Sequence, residues 1–119
     1  MNTMGQIEDD ITKAIIQWEK DYMGRGPEDA KTDILRNMII VSLRGVLSKA
    51  EQHLAREKAG MTLVKKLRQQ LVEQGRSVLE EMVEEITSAK VVSLHTDIST
   101  KTGERIFVLV MDRNLQKHS

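Results

Sequence analysis

Apolar residues recur at steps of three and four from Ile7 through Ile11, Ala14, Ile15 and Trp18 to Tyr22, a stripe that predicts a first amphipathic helix. Gly24 and Gly26 end it. Trp18 and Tyr22 share the stripe with isoleucines, so the two rings read as core anchors rather than a ligand platform. Two readings stay open for Pro27 to Leu35. Pro27 with Glu28 and Asp29 fits the first turn of a short helix, with acids near the positive end of its dipole. Alternation of Ala30, Thr32 and Ile34 fits a strand, which Arg36-Asn37 would turn into a hairpin of 29 to 35 with 38 to 45. The hairpin is the favoured reading.

Met38 to Leu43 is β-rich and apolar at nearly every position, as in a strand covered on both faces or central to a sheet. The period then changes. Ser48 followed by Glu51 is a capping box, in which each side chain satisfies a backbone donor, so a helix is expected from about 48 to Gly60. Glu51 therefore has a structural task. Beyond Gly60, residues Val64, Leu67, Leu71, Val78, Leu79, Met82, Val83 and Ile86 keep helical spacing to about Ala89. Such a helix is ~40 Å long, more than the ~35 Å breadth of a globule of this size, so part of it is expected to project and pair. Gly75 interrupts the stripe, and Ser77 with Glu80 makes a second candidate capping box, which marks a place for a kink or break. Lys65, Lys66, Arg68, Glu80, Glu81, Glu84 and Glu85 read as a solvated face.

The last third predicts a second hairpin: Lys90 to Thr100, a turn over Lys101 to Glu104, then Arg105 to Met111. Ile106 to Met111 is apolar without alternation, as in a central strand. In its partner, Val92, Leu94 and Ile98 are expected on one face and Ser93, His95, Asp97 and Ser99 on the other. Asp112 to Ser119 is polar and expected to fray. The whole chain, 1–119, thus reads as one α+β domain: an antiparallel sheet of three to four strands packed against an N-terminal helix, a short helix and a long helix.

Composition narrows the function. Eighteen basic and eighteen acidic side chains cancel, leaving no long-range field to steer the protein to nucleic acid or an anionic membrane. One Trp, one Tyr and one Phe leave little surface for stacking bases. The absence of Cys excludes disulfides, thiolate zinc sites and Cys nucleophiles. Met1 to Asp10 has neither a basic n-region nor an apolar h-region, and no run approaches the length of a bilayer span. A cytoplasmic location is expected, with membrane contact only peripheral and through a partner.

Three constellations are candidates for chemistry. Gly24-Arg25-Gly26-Pro27 could cradle a small anion, because flexible glycines free backbone donors and Arg25 offers a planar fork. It lacks the Lys-Ser/Thr of a P-loop, so a tight turn with an exposed Arg is the simpler reading. His95 and Asp97 share a strand face but diverge by nearly 7 Å, which favours a solvent-facing polar row over a base with its orienting acid. Ser42 and Arg44 project together and could join that row in a patch of mixed charge. His53, His95 and His118 lie on separate elements without ligand spacing, so no metal and no cofactor are expected.

The chain resembles the MpsC-like family, named for a Na+-translocating membrane-potential protein. The resemblance covers nearly the whole chain. It rests on Gly24-Arg25-Gly26-Pro27, the strand Met38 to Leu43, Gly45-Val46-Leu47-Ser48 with Glu51 and Leu54, Arg68 in the long helix, and the closing hairpin with Phe107-Val-Leu109. Ser48 stands where the family more often has Thr, which preserves the cap. Members often accompany genes for a two-component membrane system implicated in membrane potential and inorganic-carbon uptake. The resemblance therefore implies an accessory subunit and carries over no catalytic residue. The expected function is that of a non-enzymatic cytoplasmic interaction protein, a homodimer through the long helix or a sheet edge, with membrane transport subunits as partners. The alternative is a regulatory module that binds a small anion at the Gly24–Pro27 loop.

Overall fold

A computed structural model of the chain describes residues 3–116. Helix α1 (Met4–Met23) begins where the Thr3 hydroxyl accepts from the Gln6 N–H. It ends at Gly24, whose φ of 83° lies in the left-handed region that glycine adopts without strain. Strands β1 (Asp29–Leu35) and β2 (Met38–Arg44) form the first hairpin, so the strand reading of 29–35 is the correct one. Helix α2 (Lys49–Leu54) carries the Ser48–Glu51 capping box with both reciprocal bonds formed. Helix α3 (Lys58–Thr87) and the hairpin of β3 (Val91–Ile98) with β4 (Arg105–Met111) complete the chain.

Two expectations about helix breaks are reversed. The helix starting near Ser48 stops at Leu54 instead of running to Gly60. Gly60 lies inside α3, and a Cβ there would stand 1.9 Å from the Leu54 carbonyl oxygen, so the corner between α2 and α3 closes only around glycine. Gly75 does not break α3, which runs unbroken for 30 residues. Its missing side chain admits α1: a Cβ would meet Trp18 Nε1 at 2.8 Å and the Tyr22 ring at 2.9 Å. Ser77 and Glu80 consequently lie in mid-helix, where no cap is needed.

The four strands run in the order β1-β2-β4-β3, every neighbouring pair antiparallel. Their cross-strand rows alternate between two faces. The inner rows are Ala30–Leu43–Arg105–Ile98, Thr32–Val41–Phe107–Thr96 and Ile34–Ile39–Leu109–Leu94. α1 packs on β1 and on α3, and α3 also reaches β3, so both long helices cover this face. Trp18 stands edge-on to Phe107 with centroids 5.8 Å apart and donates its indole N–H to the Gly75 carbonyl at 2.8 Å. One apolar cluster runs through Ile11, Ile15, Trp18, Val72, Leu79, Phe107 and Leu109.

Both edges of the sheet are tied to helix or tail side chains. On β1, the Ile34 N–H donates to Glu8 of α1 at 2.9 Å, and Gln116 donates to the Ile34 carbonyl at 3.2 Å. On β3, the Val91 N–H donates to Glu84 at 2.8 Å and Arg76 donates to the Leu94 carbonyl at 3.1 Å, both from α3. Such cover is how natural sheets blunt strand-to-strand association.

Three further details depart from expectation. A register shift between Val91 and Ser93 turns Val92 outward, leaving it 65% exposed rather than sharing the face of Leu94 and Ile98. Residues 112–116 do not fray: Leu115 packs against the core and its N–H donates to the Arg36 carbonyl, while the Arg36 N–H donates to Gln116. Residues 117–119 lie outside the described residues. Arg68 is buried in α3 and is not part of a solvated face. The molecule is elongated, 51 × 23 × 22 Å, consistent with a helix of about 45 Å as its long axis.

Candidate functional site

The inner side of the molecule holds five charged side chains drawn from α1, α2, α3, β4 and the connection after α1. The capping box places Glu51 in the first turn of α2, where its Oε1 accepts from the Ser48 N–H at 2.9 Å. The same carboxylate takes a fork from Arg68 of α3, Nε to Oε2 at 2.8 Å and Nη2 to Oε1 at 2.7 Å. Arg68 Nη2 also donates to the Val46 carbonyl at 2.8 Å. Burial by itself raises the Glu51 carboxyl, but the Arg68 and Ser48 hydrogen bonds outweigh it and bring it from an ordinary 4.5 down to about 2.

Glu19 of α1 and Arg105 of β4 stand behind this pair, 1% and 2% exposed. Burial pushes the Glu19 carboxyl up, against the opposing pull of Arg105 and then Arg68. Burial also lowers Arg105, with Glu19 as its principal counter-charge. Arg105 Nη1 donates to Thr96 at 2.8 Å, and its guanidinium carbon lies 5.5 Å from the Phe107 ring centroid. Glu19 Oε2, Arg68 Nη1 and Arg105 Nε have no hydrogen-bond partner among the described residues. The group is a set of long-range ion pairs with one tight fork at its rim. Chemically it clamps four elements together, and burial raises the proton affinity of Glu19 within it.

Candidates named from sequence are dispersed. Gly24, Arg25 and Gly26 lie at the end of α1, but Arg25 turns inward and its Nη1 donates to the Gly45 and Val46 carbonyls at 3.0 and 3.1 Å. Arg25 thereby pins the same connection that Arg68 holds. Arg44 is on the outer face of the sheet, bonded to Asp29 at 2.6 Å between two exposed side chains. His95 and Asp97 share that face at the β3 edge without contacting each other: His95 Nε2 is 3.2 Å from Ser93 Oγ, and Asp97 is 3.7 Å from Lys65. Ser42 and Arg44 do share a face with them, but β4 with Ile106 and Val108 lies between.

Glu19, Arg105 and the burial of Arg68 escaped sequence reasoning, although signals existed. Glu19 follows Ile15 by one helical turn, Arg105 alternates with Phe107 and Leu109, and Arg68 stands one turn from Val64 and Val72. A cavity of about 440 Å³ opens between α3 and β3, with Val72, Leu94 and Ile98 as apolar wall and Lys65, Arg76 and Arg105 as cationic wall. Glu73 and Asp97 oppose these charges, and Arg76 is engaged with Glu73 and Glu80 at 3.3 Å each. Among the described residues no group of three or more His, Asp or Glu side chains could hold a metal, and no helix is long and apolar enough to cross a membrane.

These features define an α+β protein with two long helices on one face of a four-stranded antiparallel sheet and an ionic clamp beneath them. The chain belongs to the family described as Na+-translocating membrane potential-generating system (MpsC), whose model matches residues 3–113. It is similar to the uncharacterized protein YbcI of Bacillus subtilis (strain 168), 49% identical over 114 residues, which cover 96% of this chain and 92% of that protein. It is also similar to the uncharacterized protein YrhF of the same organism, 34% identical over 99 residues, covering 82% and 81% respectively. No solved structure matches it.

Proposed function

We propose that this protein is a non-enzymatic accessory protein that acts by docking, as a cytoplasmic partner of the membrane-potential-generating system after which its family is named. The observation that carries this reading is a patch of exposed leucines at the corner of α2 and α3. Leu63 and Leu67, one helical turn apart on α3, are 59% and 51% exposed, and Leu54 of α2 beside them is 44% exposed. They flank an open cavity of about 750 Å³ lined by Leu54, Ala59, Gly60 and Leu63 with His53 and Glu57 at its rim. Large aliphatic side chains clustered at solvent, rimmed by polar groups, are the ordinary signature of a protein contact. The ionic clamp supports the same reading, because Glu51 and Arg68 direct their hydrogen bonds to each other, Ser48 and Val46.

A photo-crosslinking residue at position 63, expressed in cells and activated in native membranes, tests this. Capture of an integral subunit of the membrane system, lost in Leu67→Glu, is the expected result. Folded protein that yields no crosslink to such a subunit refutes the proposal.

A further inference from the structure

Among the described residues no helix lies over the outer face of the sheet, yet its centre is largely apolar. Its rows, read across β1-β2-β4-β3, are Lys31–Ser42–Ile106–Asp97, Asp33–Ile40–Val108–His95 and Leu35–Met38–Val110–Ser93. On the two central strands Met38, Ile40, Ile106, Val108 and Val110 are apolar and Ser42 is polar, with Ile106 41% exposed, and Leu35 at one edge is 43% exposed. Apart from Arg44 at the end of β2, which is paired with Asp29 of β1, the charge on this face lies on the two edge strands, arranged with opposite character at the two ends of a row. Lys31 stands at the β1 end where Asp97 stands at the β3 end, and Asp33 stands where His95 does.

We propose that this face is the interface of a symmetric homodimer in which two sheets stack about a twofold axis parallel to the strands. Such an axis keeps each row in register and exchanges the sheet's edges, laying β1 of one protomer over β3 of its partner. Lys31 then meets the second copy's Asp97 and Asp33 meets its His95, each contact occurring twice. Ile40 packs on Val108 and Met38 on Val110 across the centre. A twofold perpendicular to the strands and centred on the middle row does the opposite. It places Asp33 against its own copy and sets Lys31 over Leu35, so the distribution of charge selects one axis.

The area is sufficient. Four strands about 4.8 Å apart and seven residues long at about 3.3 Å each make a face of roughly 20 by 23 Å. Two such faces cover roughly 900 Å² in plan, and side-chain relief raises the buried surface past the ~1,000 Å² that a specific interface needs. The capped edges of β1 and β3 leave the face, not the edge, as the sheet's route to association. Asp97 remains within 3.7 Å of Lys65, but its side chain is 84% exposed and free to serve a second cation.

This inference stands apart from the leucine patch: a monomer would refute the dimer and leave docking of a membrane subunit untouched. Sedimentation equilibrium of the full chain at micromolar concentration is expected to show a dimer. Lys31→Glu sets two carboxylates together at both ends and should weaken dimerisation about tenfold. Adding Asp97→Lys to it should restore the affinity. Ile40→Glu should yield a monomer with an unchanged circular dichroism spectrum; if that variant unfolds, the exposed Lys31 and Asp97 exchange decides alone. A monomeric wild type, or a dimer that Lys31→Glu leaves intact, overturns the proposal, as does failure of the double exchange to recover affinity.

Discussion

Arg68 of α3 grips Glu51 of α2 through two hydrogen bonds of 2.7 and 2.8 Å, although 17 residues of chain separate them. The carboxylate thus held is the one that caps α2, so a local helix signal and a long-range ion pair share two oxygens. Arg68 also holds the Val46 carbonyl, which Arg25 contacts from the other side. The connection between β2 and α2 is fastened by guanidinium groups rather than by apolar packing alone.

Removing one member of a largely buried pair leaves the other without its counter-charge. Arg68→Ala is expected to destabilise the protein by about 3 kcal/mol. Urea unfolding followed by circular dichroism measures it, and a loss below about 1 kcal/mol would place the fork among ordinary surface pairs.

The lowered Glu51 carboxyl has a consequence in acid. Its folded value of about 2 lies below the ordinary 4.5, so its contribution is complete above pH 4.5 and is lost as pH falls from there toward 2. Discounted for the water that reaches Glu51, the loss is about 2 kcal/mol. Glu19 has the opposite sign: its raised value means that ionisation above the ordinary carboxyl range opposes folding. Unfolding free energies between pH 2 and 5 should show a shallower slope in Glu51→Gln than in the wild type.

Gly75→Ala should improve intrinsic helix propensity by about 1 kcal/mol. The new Cβ would stand 2.8 Å from Trp18 Nε1 and 2.9 Å from Tyr22, so the expected net effect is destabilisation by about 1–2 kcal/mol. A lowered Tm together with a shifted Trp18 fluorescence maximum checks it. A raised Tm would show that α1 can move aside.

Gly60→Ala meets backbone instead of side chain, with the Leu54 carbonyl oxygen 1.9 Å from the new Cβ. A carbonyl cannot rotate away as a side chain can. The loss should exceed that of Gly75→Ala, and hydrogen exchange should rise first in residues 49–57, where α2 and its corner must shift.

Much of the architecture was legible because its signals are local. The stripe of α1, the box at Ser48 and Glu51, the Arg36-Asn37 turn and the apolar run of β4 each lie within a few residues of the structure they specify. The length of α3 is legible in the sequence, but its inward face only in part: Val64, Leu79 and Val83 are buried as expected, whereas Leu67 and Val78 are exposed. The apolar spacing runs through Leu67, Leu71 and Val78 in mid-helix, whereas burial there follows Arg68, Val72 and Gly75. A hydrophobicity ranking disfavours a stripe containing an arginine, unless the glutamate that neutralises it is known to stand opposite.

From sequence alone come the kinds of element, the capping box of α2, the Gly24 stop of α1 and the alternation that sorts each strand into two faces, since these depend on backbone geometry and the nearest neighbours. Tertiary structure decided what Gly60 and Gly75 are for, that Glu19, Arg68 and Arg105 lie inside, and that Lys31 and Asp97 close opposite ends of one row. Each of those depends on the approach of segments distant in sequence, and a steric limit or a buried charge acquires its meaning only from the group brought against it.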